Sequence, residues 1–231
     1  MKHVNALLVT VALSSLLLGC GSDSTNPIPV VQTGSNSLLI DADVSGSDAA
    51  AGVFVSSFLV SVQDSLGVNV TDAIVTITNG GIGVLTLVHD NLDPGNYKLT
   101  RNGYTSGTYV LNIARGTDFV AGVAVVAPDL HTITSPTVND ILFTAAAFTV
   151  LWTRITAAEV VTIETRDFGP VLSSSVGDSD DGSFVISSGG TVRDDQRIRV
   201  SRKNSTTISV GLTGSSFDAE IRNSVEPIVV Q

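Results

Sequence analysis

The feature that most constrains this chain is a two-residue alternation of apolar and polar side chains, running in short segments from residue 38 onward. Turn residues interrupt it about every 8 to 12 positions, the spacing of short strands in sandwiches and barrels. Successive side chains of a strand point to opposite faces, so each such segment buries one face and needs a second sheet to cover it. Phe58, Val60 and Val62 fall on one face, with Leu59, Ser61 and Gln63 on the other. Tyr97 and Leu99 oppose Lys98 and Thr100, and Tyr109, Leu111 and Ile113 repeat the pattern. Asn79 and Gly80 lie between the runs Ala73–Thr78 and Gly83–Val88, where glycine supplies the positive φ of a hairpin turn. Pro94 presets one turn dihedral and Gly95 accepts the other, which delivers Tyr97 to the core face. With no helical stripe of useful length after Cys20, the expected fold class is all-β, two antiparallel sandwiches.

The alternation breaks once. Pro128 and Asp129 end the run Phe119–Val126, and a fresh series begins at Ile133, so the sandwiches are expected over residues 38–128 and 129–231. In the second, Phe148, Val150 and Trp152 share a strand face, which predicts a buried Trp152; a ligand-stacking indole is the alternative. Further strands are predicted at Phe184–Ser187, Arg197–Arg202, Ile208–Leu212, Phe217–Ile221 and Ile228–Val230. In the penultimate one Phe217, Ala219 and Ile221 point one way and Asp218, Glu220 and Arg222 the other.

Two stretches carry resemblances. The run from Val62 through Asp64, Gly67 and Val68 to Ala73, Val75 and Ile77, with Leu92, Pro94, Gly95, Tyr97, Leu99 and Gly103-Tyr104, resembles carboxypeptidase-regulatory-like and related bacterial Ig-like domains. Ile133–Pro136, Phe148–Thr153 and Val160–Ile163 resemble the first strands of fibronectin-III-like domains, whose core forms around one tryptophan. Both resemblances imply sandwich folds without catalytic apparatus.

The amino-terminal end has a different character. Lys2 and His3 precede an apolar run from Val4 to Leu18, too short for a spanning helix of about 20 residues and of the length of a signal peptide. Leu17, Leu18, Gly19 and Cys20 close that run, and this tetrapeptide resembles the lipobox of bacterial lipoproteins. The resemblance implies that residues 1–19 are removed and that Cys20 carries acyl chains as the membrane anchor in the cell envelope. Gly21, where an aspartate retains enterobacterial lipoproteins at the inner membrane, points to the outer membrane. Residues 20–37, polar and broken by Pro27 and Pro29, read as a flexible linker that reaches about 20 to 25 Å as a coil and about 55 Å when straight. Cys20 is the chain's only cysteine, so the acylated chain retains no thiol for a disulfide, a nucleophile or a metal site.

Charge narrows the partners. The chain has a formal net charge of −10, and loss of Lys2 makes the balance more acidic, which argues against nucleic acid and anionic surfaces. Asp178, Asp180 and Asp181 present three carboxylates ahead of a strand and are the candidate calcium ligands, the one cofactor considered. The acid expected at the twelfth loop position is replaced by Gly189, which favours a solvated hairpin loop. His89, with Asp90 and Asp93, lacks a second histidine or cysteine at ligand spacing. Arg193, Arg197, Arg199, Arg202 and Lys203 form a basic cluster in which Arg197 and Arg199 share one strand face. They are the candidate binding residues for an acidic glycan or partner; the competing reading is a solvated face paired by acids such as Asp218 and Glu220. His89 and His131 lie in different halves, neither near a nucleophile elbow, and the acids cluster in loops, so no enzyme is expected. The expected function is a tethered binding or scaffold module for an envelope protein or polysaccharide. The alternatives are a passive spacer and, more remotely, a hydrolase with an unrecognised site.

Overall fold

The structure, a computed structural model, describes residues 31–50, 53–143, 145–166, 171–187 and 197–230, without the side chains of residues 49, 50, 171–178 and 228–230. The predicted signal segment, Cys20, Gly189 and Arg193 lie outside the described residues.

The alternating segments form strands with one exception: Ile208–Leu212, expected as a strand, is part of the turn that follows Thr207, closed by Gly211 N to Ile208 O and Ser215 N to Leu212 O and eased by the positive φ of Gly214. The expected linker also ends early, because Thr33–Gly34 pairs with Val120 and Ala121. The first half contains β1 (Thr33–Gly34), β2 (Leu38–Ala50), β3 (Val53–Asp64), β4 (Ile74–Asn79), β5 (Gly83–Thr86), β6 (Val88–His89), β7 (Asn96–Asn102), β8 (Gly107–Arg115) and β9 (Asp118–Ala127). The second contains β10 (Ile133–Ser135), β11 (Ile141–Phe143), β12 (Phe148–Trp152), β13 (Val160–Arg166), β14 (Val171–Asp178), β15 (Ser183–Ile186), β16 (Arg197–Thr207), β17 (Ser216–Val225) and β18 (Ile228–Val230).

Within the first half, β2-β3-β7-β6 faces β9-β8-β4-β5; within the second, β10-β12-β15 faces β14-β13-β16-β17. Numbered from the first long strand of each half, these are the A-B-E(-D) and G-F-C-C′ orders of immunoglobulin-type sandwiches. A corner tyrosine supports the assignment: Tyr109, near the start of β8, donates its hydroxyl proton to Thr105 O four residues upstream at 2.7 Å. Tyr97 lies 1% exposed as its turn predicts, and its hydroxyl donates to Val70 O (3.1 Å) while accepting from Ala73 N (2.9 Å). The Asn79–Gly83 hairpin forms, and Asn79 is buried because its side chain accepts from Gly81 N and donates to Ser106 O and Thr108 O.

Among the described residues, all strand pairings are antiparallel except two. β11 runs parallel to β18, and β17 runs parallel to β2 from Ser216↔Asp41 to Arg222↔Ser47. The second pairing joins a sheet of each half into one sheet of eight strands, β14-β13-β16-β17-β2-β3-β7-β6. Two edges that would otherwise expose unpaired N–H and C=O groups satisfy each other. The hairpin between β16 and β17 also enters the first core: Ile208, Phe217 and Ala219, though in the 129–231 segment, cluster with Leu38, Val44 and Phe58. The second core gathers Val150, Trp152, Val161, Ile163, Ile198 and Val200. Trp152 is 5% exposed, as the strand period predicts.

Candidate functional site

The two cores meet along one row of the long sheet, where Val161, Arg202, Ile221 and Gly46 lie side by side. Gly46 is required by close approach, because a Cβ there would lie 2.3 Å from Tyr104 Cδ2 and 2.8 Å from Ile221 Cδ1. Tyr104 in turn donates to Pro128 O at 2.6 Å, which pins the chain where it passes between the halves.

Arg202 belongs to the basic cluster read from the sequence as a solvated face, and here the structure differs. The residue is 0% exposed, because β16 places it in phase with Ile198 and Val200 on the inner face. A guanidinium cannot stay there uncompensated. Its Nε donates to Asp180 Oδ2 at 2.8 Å, Nη1 to Asp129 O at 2.7 Å and Nη2 to Thr156 O, and Nη2 also lies 2.7 Å from Asp180 Oδ2. Asp180 accepts besides from Trp152 Nε1 on Oδ1 (2.9 Å) and from Ala158 N on Oδ2 (2.7 Å). Burial pushes the Asp180 carboxyl up. The Ala158 amide, the Arg202 guanidinium and the Trp152 indole outweigh it and hold the group below the ordinary carboxylate value.

Other polar side chains extend this clasp around the Pro128–Thr132 crossing. Asn204 donates to Val126 O (2.7 Å) and accepts from Glu159 N (2.8 Å), and Asn223 donates to His131 O (2.7 Å). His131 is buried and donates from Nε2 to Val200 O at 3.0 Å, while its Nδ1 has no partner among the described residues. Burial and the nearby Arg202 charge lower its pKa to about 4, so the ring is neutral at neutral pH.

Of the three calcium candidates, Asp180 is engaged by the clasp. Both oxygens of Asp180 accept hydrogen bonds from the clasp, and the residue is 4% exposed where the sequence reading favoured a solvated loop. Asp181 accepts from Ser183 N and remains exposed, and the Asp178 side chain lies outside the described residues. His89 stacks at a tilt on Tyr97 and shares a hydrogen bond with Asn91.

Arg197 and Arg199 do lie on the same, outward-facing side of β16, opposite the buried Ile198 and Val200. Arg197 donates from Nε and Nη2 to Glu226 Oε1 at 3.0 and 2.7 Å. The acids expected to pair with the cluster do so in part: Asp218 accepts from Lys203 at 2.8 Å, whereas Glu220 pairs with Arg222. Glu164 lies beside Arg199 in the register and binds Arg166 Nε at 2.7 Å. Burial first, then the Arg166 charge, holds Arg199 below the ordinary arginine value. The sequence reading missed Arg202, Glu164 and Glu226 as partners. For Arg202 the signal was present, since strand parity already aligned it with Ile198 and Val200.

No protein-family model matches the chain, and no curated protein matches it. Among solved structures the chain is similar to a chimeric titin Z1Z2 functionalized with an exogenous decorin peptide, at 14% identity over 87% of this chain and 97% of that one, TM-score 0.23. It is also similar to the fibronectin(III)-like modules of Clostridium thermocellum CbhA, at 14% identity over 82% of this chain and 94% of that one, TM-score 0.25. The Yersinia pseudotuberculosis adhesin InvE is similar at 12% identity over 81% of this chain and 60% of that one, TM-score 0.27. Superpositions this loose carry no argument about activity. The class rests on strand order and the corner tyrosine, which define a tandem of two immunoglobulin-type β-sandwiches.

Proposed function

We propose that this chain is a non-catalytic binding and scaffold module of the bacterial cell envelope, anchored by acyl chains on Cys20. The observation that supports it is the junction. A continuous eight-stranded sheet and the Arg202–Asp180 clasp join the sandwiches without a hinge, so a ligand bound to one half is held in fixed orientation to the other. Interstrand spacing of about 4.8 Å gives this sheet a width of about 34 Å, a rigid platform to which the amino-terminal segment is joined at β1. Two or more acyl chains make such a tether durable.

The test expresses the full chain and its Cys20→Ser variant in a bacterial host, followed by envelope fractionation, mass spectrometry of the amino terminus and cross-linking in place. Wild type is expected in the membrane fraction with an acylated Cys20 and cross-linked to an envelope component, and Cys20→Ser is expected to lose both. An unmodified cysteine or an uncut Met1 would overturn the anchor. Correct anchoring without a cross-linked component returns the passive-spacer reading.

A further inference from the structure

Among the described residues, the outward face of β13, β16 and β17, with the Glu226 that follows β17, holds four arginines and three glutamates. Three of its arginines have a glutamate each: Arg166 with Glu164, Arg197 with Glu226 and Arg222 with Glu220. Arg199 is the remainder. Its Nη1 comes no closer than 4.0 Å to Glu164 Oε2, an oxygen already bonded to Arg166, and it makes no hydrogen bond among the described residues. Its Nε is buried without a partner, although the side chain as a whole is 20% exposed. A desolvated guanidinium with unmade hydrogen bonds is costly, and its fork matches a planar carboxylate better than any other common group.

We propose that Arg199 anchors one carboxylate of an acidic polysaccharide, a uronate unit lying on this sheet face; the inference rests on the binding-module reading. Thr162, half-buried, lies one position along the same face and adds a hydroxyl beside the charge, while Ser201, its partner in the register, is buried. A uronate chain has the matching pattern, one carboxylate per ring set among neutral hydroxyls. A contiguous acidic peptide does not match, because Glu164, Glu220 and Glu226 surround the single unneutralised charge and repel its other carboxylates. Arg197, which the sequence places beside Arg199, is committed to Glu226 and frames the site rather than anchoring the ligand.

Titration calorimetry of the full chain in detergent, with oligogalacturonate as the probe and its methyl ester and polyglutamate as controls, tests this. Wild type should bind oligogalacturonate alone, and more weakly as salt rises. Arg199→Gln should weaken binding at least about tenfold, and Arg199→Lys, which keeps the charge and loses the fork, should also weaken it. Glu164→Gln removes the nearest competing carboxylate and should tighten binding. It gives an independent reading if the arginine variants fail to fold. Equal binding by a folded Arg199→Gln variant, equal binding of the methyl ester, or polyglutamate binding as tight as oligogalacturonate would overturn the site. Those results, with Cys20-dependent envelope capture intact, defeat only the uronate anchor; loss of the capture defeats the module reading itself.

Discussion

Replacing Asp180 with alanine tests the clasp directly. The substitution removes the one carboxylate bonded to a guanidinium that is 0% exposed, leaving Arg202 only the carbonyls of Asp129 and Thr156. It also orphans Trp152 Nε1 and the Ala158 amide. Breaking a buried pair by deleting one partner costs about 3 to 5 kcal/mol, because a buried charge is left uncompensated. For a chain of this size each kcal/mol moves the melting temperature by about 2 to 4 °C, so Asp180→Ala should melt about 6 to 20 °C below wild type. The double variant Asp180→Leu, Arg202→Met removes both charges and should recover part of the loss, since a whole ion pair exchanged for apolar volume is far less costly than half of one. The pH dependence has a definite sign. The folded Asp180 value lies below 3.8, so this stabilisation is fully present above the unfolded value and is lost as pH falls through the folded one. Thermal melts followed by circular dichroism provide the measurement. An Asp180→Ala protein melting within about 2 °C of wild type, or a double variant less stable than the single, would refute the reasoning.

Two further outcomes follow from the same junction and face. Phe217→Ala should cost about 3 to 5 kcal/mol and, because Phe217 belongs to the first core, should speed hydrogen exchange of the β2 and β3 amides; acceleration confined to residues 129–231 would contradict the shared core. Burial first, and then the like charges of Glu220 and Asp218, raise Asp43 from 3.8 to about 6 against its Ser45 hydrogen bond and Arg222. The stability tied to its protonated form is fully present below 3.8 and lost as pH rises through 6. Asp43→Asn should therefore be more stable than wild type above pH 7 by up to about 3 kcal/mol, with the gap closing towards pH 4; a gap independent of pH in paired urea titrations would refute it.

The sequence by itself determined most of the strands and which face of each is buried, though not the turn at Ile208–Leu212 or the short strand at Thr33–Gly34. Tyr97, Tyr109, Val150, Trp152 and Phe217 all point inward as the two-residue period requires, because side-chain direction along a strand is a local property of the backbone. The turns at Asn79–Gly83 and Gly95 were legible for the same reason, since glycine dihedrals act within a few residues. Only the tertiary structure decided what each buried face meets. Period two does not specify which edge a strand pairs with, so nothing local indicated that β17 would run parallel to β2 and take Phe217 into the first core. Asp180, in a loop without periodicity, gave no sign of its destination. Arg202 was assigned to the surface by its charge although its parity placed it inside. Parity prevailed because Asp180 and two backbone carbonyls, brought from distant parts of the chain, met all three guanidinium nitrogens at once. Charge partners on the outer face were fixed in the same way, by a register across three strands that, among the described residues, leaves Arg199 only Glu164 at 4.0 Å, a carboxylate already bonded to Arg166.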